Sequence, residues 1–270
     1  MTNKKETFSR EHLLYLRKYR QKNVLVNVVR IFILLAFLLV WELSARLEWV
    51  NPFITSAPSR IGKTIADLYK NGSLTKHVGT TLWETLAGFS IAVFLGYTIA
   101  LILWWSEAAR KISEPYIVVL NALPKIALGP LIIIWCGTGS KAIVFMTVLI
   151  GLIVAILNML NGFMATDENK ILLLRSMGAS KLQILTKLVV PSSLPSLISM
   201  LKINVGMAWI GSIMGEYIVS KAGIGYLIVY GGQVFKLDLV MSAVIILCVL
   251  AAGMYALVAL LEKLVIKNQR

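Results

Sequence analysis

Charged side chains are scarce in this sequence. Aspartate, glutamate, lysine and arginine make up 15% of its 270 residues, whereas a soluble domain carries about 25%. Apolar residues make up 58%, against about 45–50% in a soluble domain. A composition this poor in charge argues against a soluble globular protein, and the apolar excess argues more strongly against a disordered chain.

Cysteine and histidine are also rare, with two residues of each kind. Cys136 and Cys248 both lie in apolar stretches, and His12 and His77 have no Cys or His at ligand spacing. The sequence therefore argues against a disulfide framework and against a metal site. An intramembrane hydrolase would need paired Asp, Ser–His or a His/Glu metal set, and the long apolar blocks contain neither His nor Asp.

The apolar residues lie in long blocks. About 20 helical residues cross the roughly 30 Å of hydrocarbon in a bilayer. Six blocks of that size predict transmembrane helices at about 23–44, 82–104, 116–136, 142–164, 194–219 and 239–265. We therefore predict an all-α membrane protein with six transmembrane helices, in which 23–270 form the transmembrane domain. Too few residues remain for a soluble catalytic domain, so we expect no enzyme activity in this chain.

Three shorter segments connect to these blocks. Residues 1–22 are polar and basic, and the apolar block that follows is too long for a cleavable signal peptide, which predicts an uncleaved first span. Helical spacing of apolar residues over 61–69 predicts a short amphipathic helix at the membrane surface. Residues 105–114 are predicted to form a polar turn.

The basic residues are distributed unevenly between the predicted loops. The net charge is +14. With the N-terminus inside, 16 of the 27 Lys and Arg residues lie in cytoplasmic segments and seven lie in outer segments. Because cytoplasmic loops are enriched in Lys and Arg, this asymmetry predicts that both termini are cytoplasmic. The excess positive charge therefore does not indicate a nucleic-acid-binding protein.

The longest polar stretch between spans is 165–193, which is cytoplasmic in this topology. Lys170–Met177 contains helix-forming residues, and Gly178 suits the left-handed position that ends a helix. Ser180 and Gln183 have the spacing of a capping box that starts a second helix. This pattern predicts a helix, a sharp bend and a second helix that leads into the fifth span. Such an elbow offers a compact surface to a cytoplasmic partner.

This segment resembles the EAA loop of the permease subunits of bacterial ABC importers. The family pattern is Glu-Ala-Ala, three residues, Gly, nine residues and Ile-x-Leu-Pro. In this chain nine residues separate Gly178 from Leu188-Val189-Val190-Pro191, so the spacing fits. Leu172–Leu174 replace the usual Glu-Ala-Ala. The run Arg175–Ser180 is closer to the sulfonate/nitrate/taurine branch of the family.

The resemblance to that branch extends from about residue 80 to 262. Four segments carry it, and they follow one another in the family's order. Along the chain they are Leu123–Leu131 with Trp135–Gly139, the elbow, Gly206–Trp209 followed by Glu216, and Gly223–Leu227. The resemblance implies the type I importer fold, similar to that of methionine importers, in a bacterial inner (cytoplasmic) membrane. It implies a second permease chain in a homodimer, two ATPase subunits and an extracytoplasmic substrate-binding protein.

The resemblance also implies roles for individual residues and a substrate class. The elbow would be the coupling helix that seats in the ATPase, formed by Arg175, Ser176, Met177, Gly178, Ala179 and Ser180. ATP and Mg²⁺ would bind to the ATPase, and this chain would hold no cofactor. The implied substrate is a small anion such as a sulfonate, taurine or nitrate, and the alternative is a thiamine-pyrimidine precursor or riboflavin.

Several polar or helix-breaking residues lie within the predicted spans. The candidates for a substrate pathway are Pro124, Lys125, Asn158, Asn204, Trp209 and Glu216. Lys125 lies between two prolines, where we expect the third helix to be broken, and broken helices often line transport cavities. A kink for packing is the alternative there. For Glu216 the alternative is a hydrogen bond between helices, because a membrane carboxylate must face protein or water.

Two other functions are less consistent with the sequence. Ala57–Thr64 matches a relaxed phosphate-loop pattern, but no α/β domain surrounds it, so a surface loop that enters the amphipathic helix is favoured. An ATP-independent carrier would usually show an inverted repeat, which the sequence lacks. The coupling component of a vitamin importer would carry Ala-Arg-Gly-like motifs in a cytoplasmic helix pair, and these are missing too.

Overall fold

The computed structural model of the chain describes residues 10–267. Residues 1–9 of the predicted basic segment and the last three residues lie outside the described part. All regular elements between residues 10 and 267 are helices. The contacts between residues divide the chain into two compact units, and the boundary in the sequence lies between Lys63 and Thr64.

The first unit contains one long helix and one short helix, followed by the start of a third. Helix α1 runs over Arg10–Arg46 and is followed by α2, Pro52–Thr55. The described part of the basic segment and the first apolar block therefore form one continuous helix, whose apolar side chains over 24–44 are largely exposed. At its end the Trp41 indole N–H donates to the Thr55 carbonyl at 3.3 Å.

Helix α3, Pro58–Lys70, includes the predicted amphipathic segment and crosses the boundary between the two units. Gly62, Lys63 and Thr64 lie inside this helix rather than in a loop before one. A phosphate loop needs an open turn of backbone N–H groups ahead of the helix. The predicted surface loop is therefore wrong over 58–64, because the helix already begins at Pro58.

The described part of the second unit contains the end of α3 and ten further α-helices. They are α4 (Ser73–Trp105), α5 (Glu107–Ala122), α6 (Gly129–Cys136), α7 (Ser140–Met164), α8 (Glu168–Ser176), α9 (Lys181–Ile184), α10 (Val190–Ser192), α11 (Leu194–Val219), α12 (Ile224–Gln233) and α13 (Leu237–Lys267). Five helices, one of them in the first unit, are long and apolar enough to cross a membrane. A bent pair, α5 with α6, would make a sixth span.

Small residues let α4, α7 and α11 pack closely at the centre of the second unit. A Cβ added to Gly211 on α11 would lie 2.6 Å from the Cα of Thr147 on α7, and one on Gly215 would lie 3.1 Å from the Cα of Ile143. Such close approach of backbones is typical of membrane helices with small residues at their interface. The Gly211-x-x-x-Gly215 motif thus serves helix packing.

The third predicted span is broken, as expected at Lys125. Helices α5 and α6 are bent by 86°, and a 3₁₀ turn over Lys125–Leu128 separates them. Pro124 precedes that turn and Pro130 lies in the first turn of α6, where a proline needs no N–H partner. One continuous helix over 116–136 is therefore replaced by two.

The predicted polar turn at 105–114 is wrong. Only Ser106 separates α4 from α5, and its hydroxyl accepts a hydrogen bond from the Ala109 N–H at 3.2 Å. A serine N-cap can start a helix in a polar sequence, and the local charge obscured this. Helix α4 also begins at Ser73 rather than near Leu82, so the polar residues of 73–81 lie in a long helix.

Candidate functional site

The elbow between the fourth and fifth spans forms as the sequence predicts. Helix α8 starts at the cap Asp167, whose side chain accepts from the Asn169 N–H at 2.9 Å. It ends at Ser176, and Gly178 follows two residues later with a φ of +80°. There the Ala179 N–H donates to the Leu174 carbonyl at 2.9 Å. Because this left-handed backbone strains any residue with a Cβ, glycine makes the sharp bend possible.

The second arm of the elbow begins with the predicted capping box, which is confirmed. The Gln183 side chain accepts from the Ser180 N–H at 2.8 Å, and the Ser180 hydroxyl accepts from the Gln183 N–H at 3.3 Å. From α9 the chain continues through a π-helical turn, Leu185–Val189, and then α10. Only Ser193 separates α10 from α11. The elbow is therefore joined directly to the fifth predicted span.

The inner face of the elbow is anchored to the bundle by apolar packing. Ile171, Leu174 and Ala179 pack against one buried cluster. Its members come from α4, α7, the second arm and α11, and they are Ala100, Ala155, Met159, Phe163, Ile184, Val189 and Met200. The inner face of the elbow is therefore packed on three long helices at once.

The outer face of the elbow is apolar and exposed. The exposed fractions are 65% for Leu172, 59% for Leu173, 74% for Met177 and 59% for Leu182. The predicted coupling residues Arg175, Ser176, Gly178 and Ser180 are also exposed, while Ala179 is half-buried. A groove of about 400 Å³ beside this face is lined by Glu168, Asn169, Ile171, Leu172 and Arg175. Four large apolar side chains are therefore exposed close together in the sequence of the elbow.

Lys181 ties the elbow to the junction of α4 and α5. Its ammonium donates to the Trp105 carbonyl at 2.5 Å. It also lies 5.9 Å from the ring centre of Trp104 and 5.2 Å from that of Trp105, within the range of cation–π attraction. Sequence reasoning missed this contact, because 76 residues separate its partners.

The six pathway candidates do not share one environment. Pro124 is exposed, and the half-buried Lys125 donates to the Asn121 carbonyl at 3.3 Å. Asn158 is half-buried and donates to the Val154 carbonyl of its own helix at 2.8 Å. The break in the third span thus leaves polar groups accessible.

The other three candidates are buried inside the bundle. The Asn204 amide donates to the Met200 carbonyl at 3.1 Å, and its side-chain oxygen has no hydrogen-bond partner among the described residues. Trp209 packs against Val205 and Met254, and its indole N–H is likewise unpaired in the described part of the chain.

Glu216 is 1% exposed and belongs to a polar cluster that sequence reasoning missed. Its carboxylate accepts from the Thr81 hydroxyl at 2.6 Å and from the Gly225 N–H at 2.5 Å. A second buried carboxyl group, that of Glu84, interacts with it. Thr81, Thr85 and Gly88 recur at helical spacing, and this pattern could have revealed a polar face of α4.

Comparison with known proteins is consistent with this architecture. Residues 92–267 match the family model described as "Binding-protein-dependent transport system inner membrane component". The chain is 32% identical over 192 residues to the formylaminopyrimidine transport permease protein ThiX of Halalkalibacterium halodurans, covering 71% of this chain and 76% of that protein.

Two Escherichia coli proteins are also similar. The identity to the putative aliphatic sulfonates transport permease protein SsuC is 28%, covering 90% of this chain and 92% of that protein. The identity to the taurine transport system permease protein TauC is 23%, covering 81% of each chain.

Solved structures of two importers share the fold. A chain of the inward-facing MetNI methionine ABC transporter gives a TM-score of 0.61 at 19% identity, covering 70% of this chain and 96% of that one. A chain of a bacterial ABC transporter involved in alginate import gives a TM-score of 0.61 at 13% identity, covering 94% of this chain and 99% of that one. The helical architecture is therefore that of a type I importer permease.

Proposed function

Because the chain belongs to the family of inner membrane components of binding-protein-dependent transport systems, we propose that it is the permease subunit of an ATP-driven importer whose elbow receives the ATPase. The single observation that carries this proposal is the two-faced elbow. Its inner side is packed on α4, α7 and α11, and its outer side exposes Leu172, Leu173 and Met177. A partner that binds the outer side moves the bundle through the inner side.

The assembly we propose contains two copies of this chain, two ATPase subunits and an extracytoplasmic binding protein, in a bacterial inner membrane. Each copy crosses the membrane six times, with α5 and α6 together forming the third span and both termini in the cytoplasm. The distribution of Lys and Arg supports this orientation. The cytoplasmic elbow then contacts the ATPase, which binds ATP and Mg²⁺, and this chain has no catalytic role.

The proposed transport cycle is alternating access. Closure of the ATPase dimer draws the two elbows together, and the bundle helices attached to each elbow rock to open the opposite side. We place Pro124, Lys125 and Asn158 along the substrate pathway. Pro124 and Lys125 lie at the helix break, and Asn158 is a half-buried polar residue of a span. Asn204, Trp209 and Glu216 lie deeper, and they would shape the pathway from behind.

The substrate we propose is a small anion, such as a sulfonate, taurine or nitrate. The similarity to SsuC and TauC over more than four-fifths of the chain supports this class. A thiamine-pyrimidine precursor or riboflavin is the alternative, which the similarity to ThiX and to the riboflavin permease RibX of Chloroflexus aurantiacus favours.

Co-purification with the ATPase tests the role of the elbow. Gly178, with φ +80°, and Gly137, with φ +75°, have nearly equal backbone strain, and no atom lies within 4 Å of a Cβ added to either. Gly178→Val should abolish co-purification with a co-expressed ATPase and solute-stimulated ATP hydrolysis. Gly137→Val, on the other side of the bundle, should retain both. Equal ATPase retention by the two variants would overturn the proposal.

Uptake into proteoliposomes tests the substrate class. The reconstituted complex with its binding protein should accumulate labelled taurine or an alkanesulfonate only when ATP is enclosed with the ATPase. ATP-dependent uptake of a formylaminopyrimidine or riboflavin instead would select the alternative. Uptake that persists without ATP would exclude an ABC importer.

A further inference from the structure

A buried polar cluster joins α4, α11 and the N-terminal end of α12. Its core residues are Thr81, Glu84 and Thr85 on α4 and Ser212 and Glu216 on α11, each no more than 1% exposed. The Thr85 hydroxyl donates to the Ser212 hydroxyl at 2.7 Å. Polar side chains buried in a membrane bundle are costly unless they are paired or serve a function. Two carboxyl groups in one such cluster therefore require a specific role.

The cluster binds the N-terminal end of α12 through three successive backbone N–H groups. Gly223 N–H donates to His77 Nδ1 at 2.9 Å, Ile224 N–H to the Thr81 hydroxyl oxygen at 2.8 Å, and Gly225 N–H to Glu216 Oε2 at 2.5 Å. The first N–H groups of a helix have no acceptor within that helix. Side chains of α4 and α11 thus cap α12 from outside.

Glu216 fits this position through both oxygens of its carboxyl group. One accepts a hydrogen bond from Thr81 and the other from Gly225. Any negative charge on the group is also stabilised at a helix N-terminus by the aligned peptide dipoles. The carboxyl group of Glu216 and the end of α12 therefore stabilise each other.

The fit between Glu216 and α12 is close enough to require glycine at two positions. Gly223 has a φ of +121°, and a Cβ there would overlap the Glu216 carboxylate. A Cβ at Gly225 would lie 2.8 Å from Glu216 Oε2. The backbone of α12 approaches the carboxylate directly, with no side chain between them.

Glu84 supplies a second carboxyl group to the cluster. Its carboxyl group interacts with that of Glu216 and with the Ser140 hydroxyl, while its Oε2 has no hydrogen-bond partner. Within residues 10–267, no lysine or arginine pairs with either carboxyl group. Two adjacent buried carboxylates without a cation repel each other strongly, so one of them retains a proton.

We propose that Glu84 and Glu216 hold one proton between them, and that Glu216 is a positioning residue that fixes the start of α12 against α4. The cluster lies near the end of α11 opposite the elbow. One part of the inference rests on the proposed function, namely that the bundle moves during transport. During that movement the cluster would hold the start of α12 in register with α11.

Infrared spectroscopy of the full chain in lipid nanodiscs tests the shared proton. The wild type should show the C=O stretch of a buried protonated carboxylic acid that shifts in D₂O, and Glu84→Gln should lack it. If the band persists in Glu84→Gln, or the wild type has no such band, then Glu84 and Glu216 do not share a proton.

Amide hydrogen exchange tests the positioning role. Glu216→Gln should speed exchange of the Gly223–Gly225 amides about tenfold or more, the factor expected for loss of a charged hydrogen bond. Glu84→Gln, which resembles the protonated acid, should change it less than about threefold on the same reasoning. Equal acceleration by both substitutions would overturn the unequal roles of the two carboxyl groups.

Thr81 provides a second pair of variants if Glu216→Gln fails to fold. Thr81→Val removes the hydroxyl that bonds both Glu216 and Ile224 and should accelerate the same amides, while Thr81→Ser keeps the hydroxyl and should restore protection. Failure of the serine to restore protection would contradict the role of the hydroxyl. Infrared spectroscopy and amide exchange are both measured on this chain without its partners. A negative result in them would contradict the role of the polar cluster but not the importer proposal. Loss of the predicted ATPase co-purification would contradict the importer proposal but not the role of the cluster.

Discussion

The two ends of α11 are held by opposite kinds of contact. Near Leu194 the helix is joined to the elbow, and apolar side chains such as Phe163 and Met200 bind the elbow to the bundle. Near Val219 it is held by hydroxyl, carboxyl and backbone N–H groups around Glu216. Apolar packing is non-directional and tolerates small adjustments, whereas a buried hydrogen-bond cluster loses stability when one partner is removed. The first end suits a moving joint, and the second suits a fixed point.

The strongest test of the elbow end is truncation of its buried anchor. Phe163 is fully buried in the cluster beneath the elbow. Phe163→Ala should lower the free energy of unfolding by about 3–5 kcal/mol, since it leaves a cavity in a shared core. Met177→Ala, on the exposed face, should change it by less than about 0.5 kcal/mol. Unfolding in a detergent titration measures both, and similar losses would contradict the two-faced elbow.

The polar end should be intolerant of an added methyl group. Gly223→Ala introduces a Cβ into the Glu216 carboxylate at a φ of +121°, and we expect a loss of about 2–4 kcal/mol from overlap and backbone strain together. Gly232→Ala is the matched control at the other end of α12, because no atom lies within 4 Å of its added Cβ. Thermal unfolding in nanodiscs should separate the two variants, and a tolerated Gly223→Ala would show that the contact relaxes easily.

The hydroxyl pair in the polar cluster should show coupling. Thr85 and Ser212 share a buried hydrogen bond of 2.7 Å. A double-mutant cycle with Thr85→Val and Ser212→Ala should give an interaction energy of about 0.5–1.5 kcal/mol. Additive effects of the two substitutions on unfolding would mean that this bond does not join α4 to α11.

The smallest expected effect concerns the basic side chain at the elbow. Lys181→Gln removes the ammonium that contacts Trp104 and Trp105. Because Lys181 is exposed, we expect a stability change of only about 0.5–1 kcal/mol. The tryptophan fluorescence of the protein should shift in Lys181→Gln. The control is Lys187→Gln, which replaces an exposed lysine on the same arm of the elbow. An unchanged spectrum would exclude the ring contact.

The elbow could be predicted almost completely from the sequence because its determinants are local. Gly178 makes the bend, and Ser180 and Gln183 cap the second arm within a few residues of it. The break in the third span was likewise predictable from its prolines. The helix start at Ser106 was missed, since a single N-capping serine in a charged stretch is a weak signal.

The polar cluster could not be predicted because its partners are distant in the sequence. Thr81 and Glu216 are separated by 135 positions, and His77 and Gly223 by 146. Glu216 was singled out as a carboxylate in a span, but nothing in its own segment indicates that Thr81 or Glu84 would meet it. Only the packing of α4 on α11 brings these side chains together.

By itself the sequence determined a helical membrane protein, its apolar blocks and the bend of the elbow, because hydropathy and helix capping act over one or two turns. The tertiary structure alone decided which polar groups are buried together and which face of the elbow is free. Those outcomes depend on helix register and close approach between segments over a hundred residues apart, where a single methyl group at Gly211 or Gly223 would change the contact.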